Sequence, residues 1–223
     1  MSSEADSCIN LYLKEKHVIE TWMDAILTTF RRDPDLNRPP MPIIHSLRSR
    51  MKDPEHLREK LERKSADGNV ITPDNLFSKV TDLAGIRVLH VASRHFDLIH
   101  NKIEMMVKSG DWRLAETPVA YSWDPDRRKG FEQLGLRVEI KDSNYTSIHY
   151  LVRPSNEKNI ACCEVQVRTL FEEVWGEVDH LVNYPTKNES DSCRRQLRVL
   201  ARAVSTGTTL VDSMLTDFEG SPS

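Results

Sequence analysis

The stretch Cys163-Glu164-Val165-Gln166-Val167-Arg168-Thr169 runs straight into Leu170-Phe171-Glu172-Glu173-Val174-Trp175-Gly176-Glu177-Val178, and the period changes at the join. Up to Thr169 polar and apolar residues alternate, so Glu164, Gln166 and Arg168 share one face of a strand and Val165 and Val167 the other. From Leu170 the spacing is helical, with Leu170, Val174, Val178, Leu181 and Val182 on one side. A strand feeding a helix with an apolar side predicts a sheet covered by helices. Three polar residues in a row on one strand face either line a wet cleft or lie on an exposed sheet surface. Because helices should cover most of the sheet, the cleft is favoured.

Working outward, Ile43–Leu47, Ile86–Val91, residues 117–123, residues 134–141, Ser147–Val152 and Ile160–Arg168 read as strands. Ile19, Trp22, Met23, Ile26, Leu27 and Phe30 give an N-terminal helix one apolar face. Asp53-Pro54 reads as an N-cap with proline at the first helical position, opening a helix to about Lys64. Thr72-Pro73 repeats the signal for a short helix to Lys79. Phe96, Ile99, Ile103, Met106 and Val107 mark another helix, and Asp124-Pro125-Asp126-Arg127-Arg128-Lys129-Gly130 reads as a charged turn. Pro185 should end the helix that starts at Leu170. A last helix, from about Asp191 to Phe218, carries Leu197, Leu200, Ala201, Val204, Val211, Met214 and Leu215. The expected fold class is α/β (α+β): a mixed central β-sheet of about five strands, flanked by helices at both chain ends. The expected division is a helical segment over 1–40, a core over 41–188 and a C-terminal helix over 189–223, all in one globular unit.

The chain has 223 residues, with 31 Lys and Arg against 34 Asp and Glu, a net charge of −3. That balance excludes a protein that coats nucleic acid through bulk charge but leaves room for a local basic cleft. Cys8, Cys162, Cys163 and Cys193 form no CxxC pair and no Cys/His cluster, so neither a disulfide framework nor a zinc site is indicated. A reducing cytoplasm is the simplest setting. No apolar run is long enough for a signal peptide or a membrane span, so no membrane partner is expected.

Five clusters could carry chemistry. Arg48 to Lys64 holds seven basic residues (Arg48, Arg50, Lys52, Arg58, Lys60, Arg63, Lys64) against four acidic ones. Guanidinium groups, ammonium groups and a helix N-terminus can converge there on a polyphosphate; the alternative is a solvated helix face. Asp82, just before a buried strand, is either a metal ligand at the strand's mouth or a turn acid. Tyr145, at a loop-to-strand junction, either stacks on a base or packs on the sheet. Glu164, Gln166 and Arg168 form the polar strand face. On the following helix Glu173, Glu177, His180 and Tyr184 fall along one side, without the HExxH spacing of a zinc site.

In order, Arg50-x-Lys52-x7-Lys60, Asp82-Leu-Ala-Gly-Ile-Arg87, Tyr145-x-Ser147-Ile-His149, Glu164-Val-Gln166-Val-Arg168-Thr and Trp175-x4-His180-x2-Asn183-Tyr184 resemble the RelA/SpoT-type synthetase domain, from about Ile43 to Pro185. Within that family the chain is similar to the small, synthetase-only members. The resemblance implies a nucleotidyltransferase-like sheet and transfer of the β,γ-diphosphate of ATP to the 3′-hydroxyl of GDP or GTP, making (p)ppGpp. It implies Arg50 and Arg87 at the adenine, Lys52 and Lys60 on phosphates, and Asp82 and Glu164 on Mg²⁺. Glu164 is also the expected base, and Tyr145 the platform for the acceptor base. His149, Gln166 and Arg168 would position acceptor or phosphates, with His180 and Asn183 in support. Two positions depart from the family pattern. His56 stands where a phosphate-binding serine is usual, and Asn144 where glycine is usual.

Some small relatives are toxins neutralised by antitoxins, some pyrophosphorylate tRNA 3′ ends, and others make adenosine alarmones. A tRNA acceptor would need a basic rim, for which Arg127-Arg128-Lys129 and Arg194-Arg195 with Arg198 are the candidates. A third reading is a non-catalytic nucleotide-binding module, which predicts loss of a carboxylate or lysine that this chain retains. The two end helices have no catalytic role in any of these readings. They pack on their own sheet or on another subunit of a homo-oligomer.

Overall fold

Alternate residues of three adjoining strands, Ile86, Val88, Val165, Val167, Ile148, Tyr150 and Val152, are buried. They form the floor of the main core, and the opposite faces of the same strands carry the polar residues. The computed structural model describes residues 2–183 and 190–220; Tyr184 and Pro185, and with them the expected stop at Pro185, lie outside the described residues.

The helices are α1 (Ser2–Arg32), α2 (Pro54–Ala66), α3 (Leu76–Lys79), α4 (His95–Lys108), α5 (Pro125–Gln133), α6 (Leu170–Asn183) and α7 (Asp191–Gly220). The strands are β1 (Ile44–Met51), β2 (Ala84–His90), β3 (Trp112–Leu114), β4 (Val119–Tyr121), β5 (Arg137–Glu139), β6 (Ser147–Pro154) and β7 (Cys163–Thr169). They build one mixed sheet in the order β1-β2-β7-β6-β4-β5, with β3 also paired to β6. The sheet has seven strands rather than about five, because three-residue segments complete its far edge.

The N-terminal helix packs on its own sheet. Ile19, Met23, Ile26, Leu27 and Phe30 are buried, and the Trp22 indole donates to the Val152 carbonyl (3.0 Å). Phe96, Ile99 and Ile103 of α4 join the same core.

Four local readings are corrected. The segment at Asp124 is a helix, because the Asp124 carboxylate caps the Asp126 amide (3.0 Å) with Pro125 in the first turn, the same start signal as Asp53-Pro54. The Thr72-Pro73 signal yields only the single turn of α3. β1 continues past Leu47 to Met51, so Arg48 and Arg50 are strand residues. On α6 the burial is inverted relative to the apolar pattern. Val174 is 55% and Leu181 79% exposed, while Glu172 and Glu173 are buried at 3% and 5%. Carboxylates go inside here because guanidinium groups wait for them.

Candidate active site

Strand register assembles the polar face. Arg48 of β1 lies opposite Arg87 of β2, Arg87 beside Gln166 of β7, and Gln166 beside His149 of β6. The next row is Arg50, Gly85 and Glu164. Gly85 leaves open the space between Arg50 and Glu164, and a pocket there is lined by Arg48, Arg50, Asp82, Gly85, Arg87, Glu164 and Gln166.

One end of this face is cationic. Lys52 follows β1 directly, and its amide donates to the Leu83 carbonyl (2.8 Å). Its own carbonyl accepts from the Tyr12 hydroxyl of α1 (2.7 Å). Lys60 stands on α2, whose start is capped by Asp53. Both amines close on Asp82, Lys52 at 2.9 Å and Lys60 at 2.7 Å. Burial pushes the Asp82 carboxyl up, but the two ammonium groups outweigh it and hold the pKa at about 2. Asp82 is therefore an anion at any physiological pH.

The other end is a closed hydrogen-bonded ring. Glu164 Oε1 meets His149 Nδ1 (3.0 Å), and His149 Nε2 meets the Tyr145 hydroxyl (3.0 Å). Arg168 donates to that hydroxyl (2.8 Å) and to Gln166 Oε1, and the Gln166 amide donates to Glu164 Oε2 (2.7 Å). With Arg168 a pure donor, the consistent assignment has the tyrosine donating to Nε2 and Nδ1–H donating to Glu164. Burial opposes ionisation of Glu164, but His149 and Gln166 hold its carboxyl below the usual range. Asn144, at φ 61°, takes the left-handed turn that presents Tyr145, a conformation asparagine tolerates.

Glu173 joins the two ends. One of its oxygens receives Arg87 (2.9 Å) and Arg48 (3.4 Å), and the other receives Arg168 (3.2 Å). Arg87 also pairs with Glu177. The start of α6 is set by a reciprocal cap: Glu172 accepts from the Thr169 amide (2.7 Å) and its own amide donates to Thr169 Oγ1 (3.2 Å).

Sequence reasoning placed Glu173 on a helix side without seeing this role, since three arginines from three strands meet only through the register. It also missed Gly176. A Cβ there would lie 2.7 Å from Arg168 Nη1, so any other residue would push the guanidinium from this position. Lys141 was missed too: its amine sits 3.8 Å above the Tyr121 ring and 4.6 Å above that of Tyr145. The clue in the sequence was a lysine four residues before the tyrosine.

Other expected residues lie further off. His56 is exposed in the first turn of α2, its amide on the Asp53 cap. His180 is exposed on α6. Asn183 donates to Asp179 (2.8 Å) and lines a separate pocket with Asp142, Arg194 and Arg198. Arg127, proposed for a basic rim, is instead turned inward onto buried Glu172.

Among the described residues no cluster of three or more His, Cys, Asp or Glu could hold a metal ion. Asp82 and Glu164, however, open into one pocket, and both are held in the ionised form. Two anionic oxygen donors beside room for phosphate fit a Mg²⁺ ion, which takes few protein ligands and completes its shell with phosphate and water.

The model for the region found in RelA / SpoT proteins matches residues 49–189. GTP pyrophosphokinase YwaC of Bacillus subtilis (strain 168) is 25% identical over 148 residues, 66% of this chain and 61% of that protein. The chain thus spans about three fifths of the length of that curated relative. The small alarmone synthetase 1 from Bacillus subtilis superposes with a TM-score of 0.69 at 19% identity over 95% of this chain and 97% of that one. It has also been solved bound to its product pppGpp and bound to AMPCPP. A GTP pyrophosphokinase family protein from Streptococcus pneumoniae gives a TM-score of 0.70 at 20% identity, over 93% and 94% of the two chains. These structural likenesses concern the fold. The family match covers more than half of the chain and coincides with the strands and helices that build the polar face, and on that ground the chain belongs to the RelA/SpoT family.

Proposed function

We propose that the protein is a pyrophosphokinase that transfers the β,γ-diphosphate of ATP to the 3′-hydroxyl of GDP or GTP, giving (p)ppGpp and AMP. The observation that carries this reading is the single pocket into which Asp82 and Glu164 both open, between a lysine-rich end and a tyrosine–histidine end. The activity named for the relative YwaC and the pppGpp bound to small alarmone synthetase 1 support it.

In this reading Arg50 and Arg87 take the adenine side, while Lys52 and Lys60 turn from Asp82 to the triphosphate. Bound Mg²⁺, held by Asp82 and Glu164, would offset charge on the transferred diphosphate. Glu164 accepts the proton of the acceptor's 3′-hydroxyl. That oxygen forms its bond to the β-phosphorus as the α,β-bridging bond breaks and AMP departs with the electron pair. A base needs to be ionised before the step, and Glu164 is, because His149 and Gln166 donate to it. The acceptor base stacks on Tyr145 on the face that carries Lys141, displacing the amine. Arg168 and Glu173 hold Tyr145 and Arg87 in place from behind. His56, His180 and Asn183 act only at the periphery.

Arg127, turned onto Glu172, is taken out of the Arg127-Arg128-Lys129 run, one of the two candidate basic rims for a tRNA acceptor. Four free cysteines accord with a reducing cytoplasm. The test is to incubate the protein with labelled ATP, Mg²⁺ and, separately, GDP, GTP, ADP and bulk tRNA. Label should move to GDP or GTP. Label on tRNA alone would replace the acceptor, and label on none would overturn the reading. Glu164→Gln should abolish transfer while ATP still binds, and retained turnover would remove Glu164 as the base.

A further inference from the structure

Ala5, Cys8, Ile9 and Tyr12 share the buried side of the first turns of α1. Polar contacts from these turns run to the segment that carries Lys52 and Lys60. Asp6 pairs with Arg58 of α2 (2.8 Å), the Cys8 thiol lies 3.8 Å from the Ile71 carbonyl, and the Tyr12 hydroxyl donates to the Lys52 carbonyl (2.7 Å). Tyr12 is fully buried. Burial pushes its pKa up to about 12, so the hydroxyl keeps its proton and stays a donor.

Lys52 stands between the last residue of β1 and the Asp53 cap of α2, and both of its backbone groups are held. Its amide reaches the Leu83 carbonyl (2.8 Å), next in the chain to Asp82, and its carbonyl is held from α1. To engage a triphosphate, the lysine amine must exchange Asp82 for phosphate on its flexible stem while its backbone stays in place. A displacement of about 1 Å in a group that positions reacting atoms can cost about a hundredfold in rate. Phenylalanine would fill the space of Tyr12 but leave the Lys52 carbonyl without its donor, and a carbonyl so deprived turns toward water or another donor.

We propose that Tyr12 is a positioning residue for the diphosphate donor: it pins the backbone of Lys52, and through it α1 forms part of the ATP-phosphate site. The proposal rests on the reading that places Lys52 on the triphosphate. Tyr12 itself touches no substrate and acts through Lys52.

Tyr12→Phe in the full chain tests this, by calorimetric titration with AMPCPP and with AMP. The affinity for AMPCPP should fall by about fivefold, the share of one hydrogen bond, and that for AMP, which lacks the β,γ-diphosphate, should not change. The KM for ATP should rise while the acceptor's KM stays. Tyr150→Phe removes the same atom from another fully buried tyrosine, whose hydroxyl bonds His100 Nδ1 (2.9 Å), and should leave AMPCPP binding as it is. In a Lys52→Met background, Tyr12→Phe should cause no further loss. An unchanged AMPCPP affinity in Tyr12→Phe overturns the proposal. So does a loss that AMP shares, that Tyr150→Phe matches, or that persists in the Lys52→Met background, because each would make Tyr12 a general support of the fold. A wild type that binds no AMPCPP overturns the ATP assignment itself, and this proposal with it.

Discussion

Glu173→Ala removes one carboxylate from three guanidinium groups, and the structure says which of the three will register the loss. The Arg48 side chain is 62% exposed, so its contact counts for almost nothing. Arg87 is 27% exposed and keeps Glu177, which limits its share to about 1 kcal/mol. Arg168 is 4% exposed. Removing the partner of a buried charge costs about 3–5 kcal/mol. Its remaining bonds to Tyr145 and Gln166 place Arg168 at the low end of that range. The expected destabilisation is about 3 kcal/mol, a large part of a typical domain's stability, read from urea unfolding at pH 7. A double-mutant cycle with Arg168→Met should show coupling of about 2 kcal/mol, and one with Arg48→Ala below about 0.5. A loss under about 1 kcal/mol for Glu173→Ala, or equal coupling to both arginines, would refute the reasoning. In the nucleotide assay Glu173→Gln, which keeps shape and accepting power, should lose less activity than alanine.

Gly176→Ala should lower turnover by about tenfold or more with little change in melting temperature, since a displaced Arg168 releases Tyr145 rather than the core; unchanged kinetics would show that the guanidinium has room to shift. Tyr145→Ala should raise the acceptor's KM more than that of ATP, and the opposite split would exchange the two nucleotide sites. His90 is 1% exposed and bonds only the Ala92 carbonyl through Nδ1 (2.8 Å). Burial pushes its pKa down to about 4. The folded state therefore binds fewer protons than the unfolded chain between about pH 6.5 and 4. Its contribution is full above that window and falls as pH drops through it, by at most about 1.4 kcal/mol per pH unit. His90→Gln should flatten that part of the stability curve, and an unaltered slope would assign it elsewhere. Asp82 acts in the next window down, losing its contribution as pH falls from about 4 toward 2, so Asp82→Asn should lower stability above pH 4 and flatten the slope only in that lower arm.

Apart from β3 and α5, the order of elements was legible in the chain, as were the buried N-terminal helix and the polar face of β7, because alternation and helical spacing are local patterns written by backbone geometry. The motifs that mark the RelA/SpoT family were legible because their residues stand at short, fixed spacings along the chain. Where two local signals competed, the reading failed. Asp124-Pro125 is a cap and not a turn, and on α6 Val174 and Leu181 point to solvent while Glu172 and Glu173 go inside.

Tertiary structure alone decided the site. Arg48, Arg87, Gln166 and His149 come from four strands spread over a hundred residues, and only the hydrogen-bond register sets them in one row. Asp82 is drawn to about pKa 2 by lysines that precede it by 30 and 22 positions. Glu173 could not be read as the hub of three arginines from its own neighbours. Sequence spacing determines which residues share an element's face; which elements share a pocket, and hence which charges meet, is determined by long-range packing.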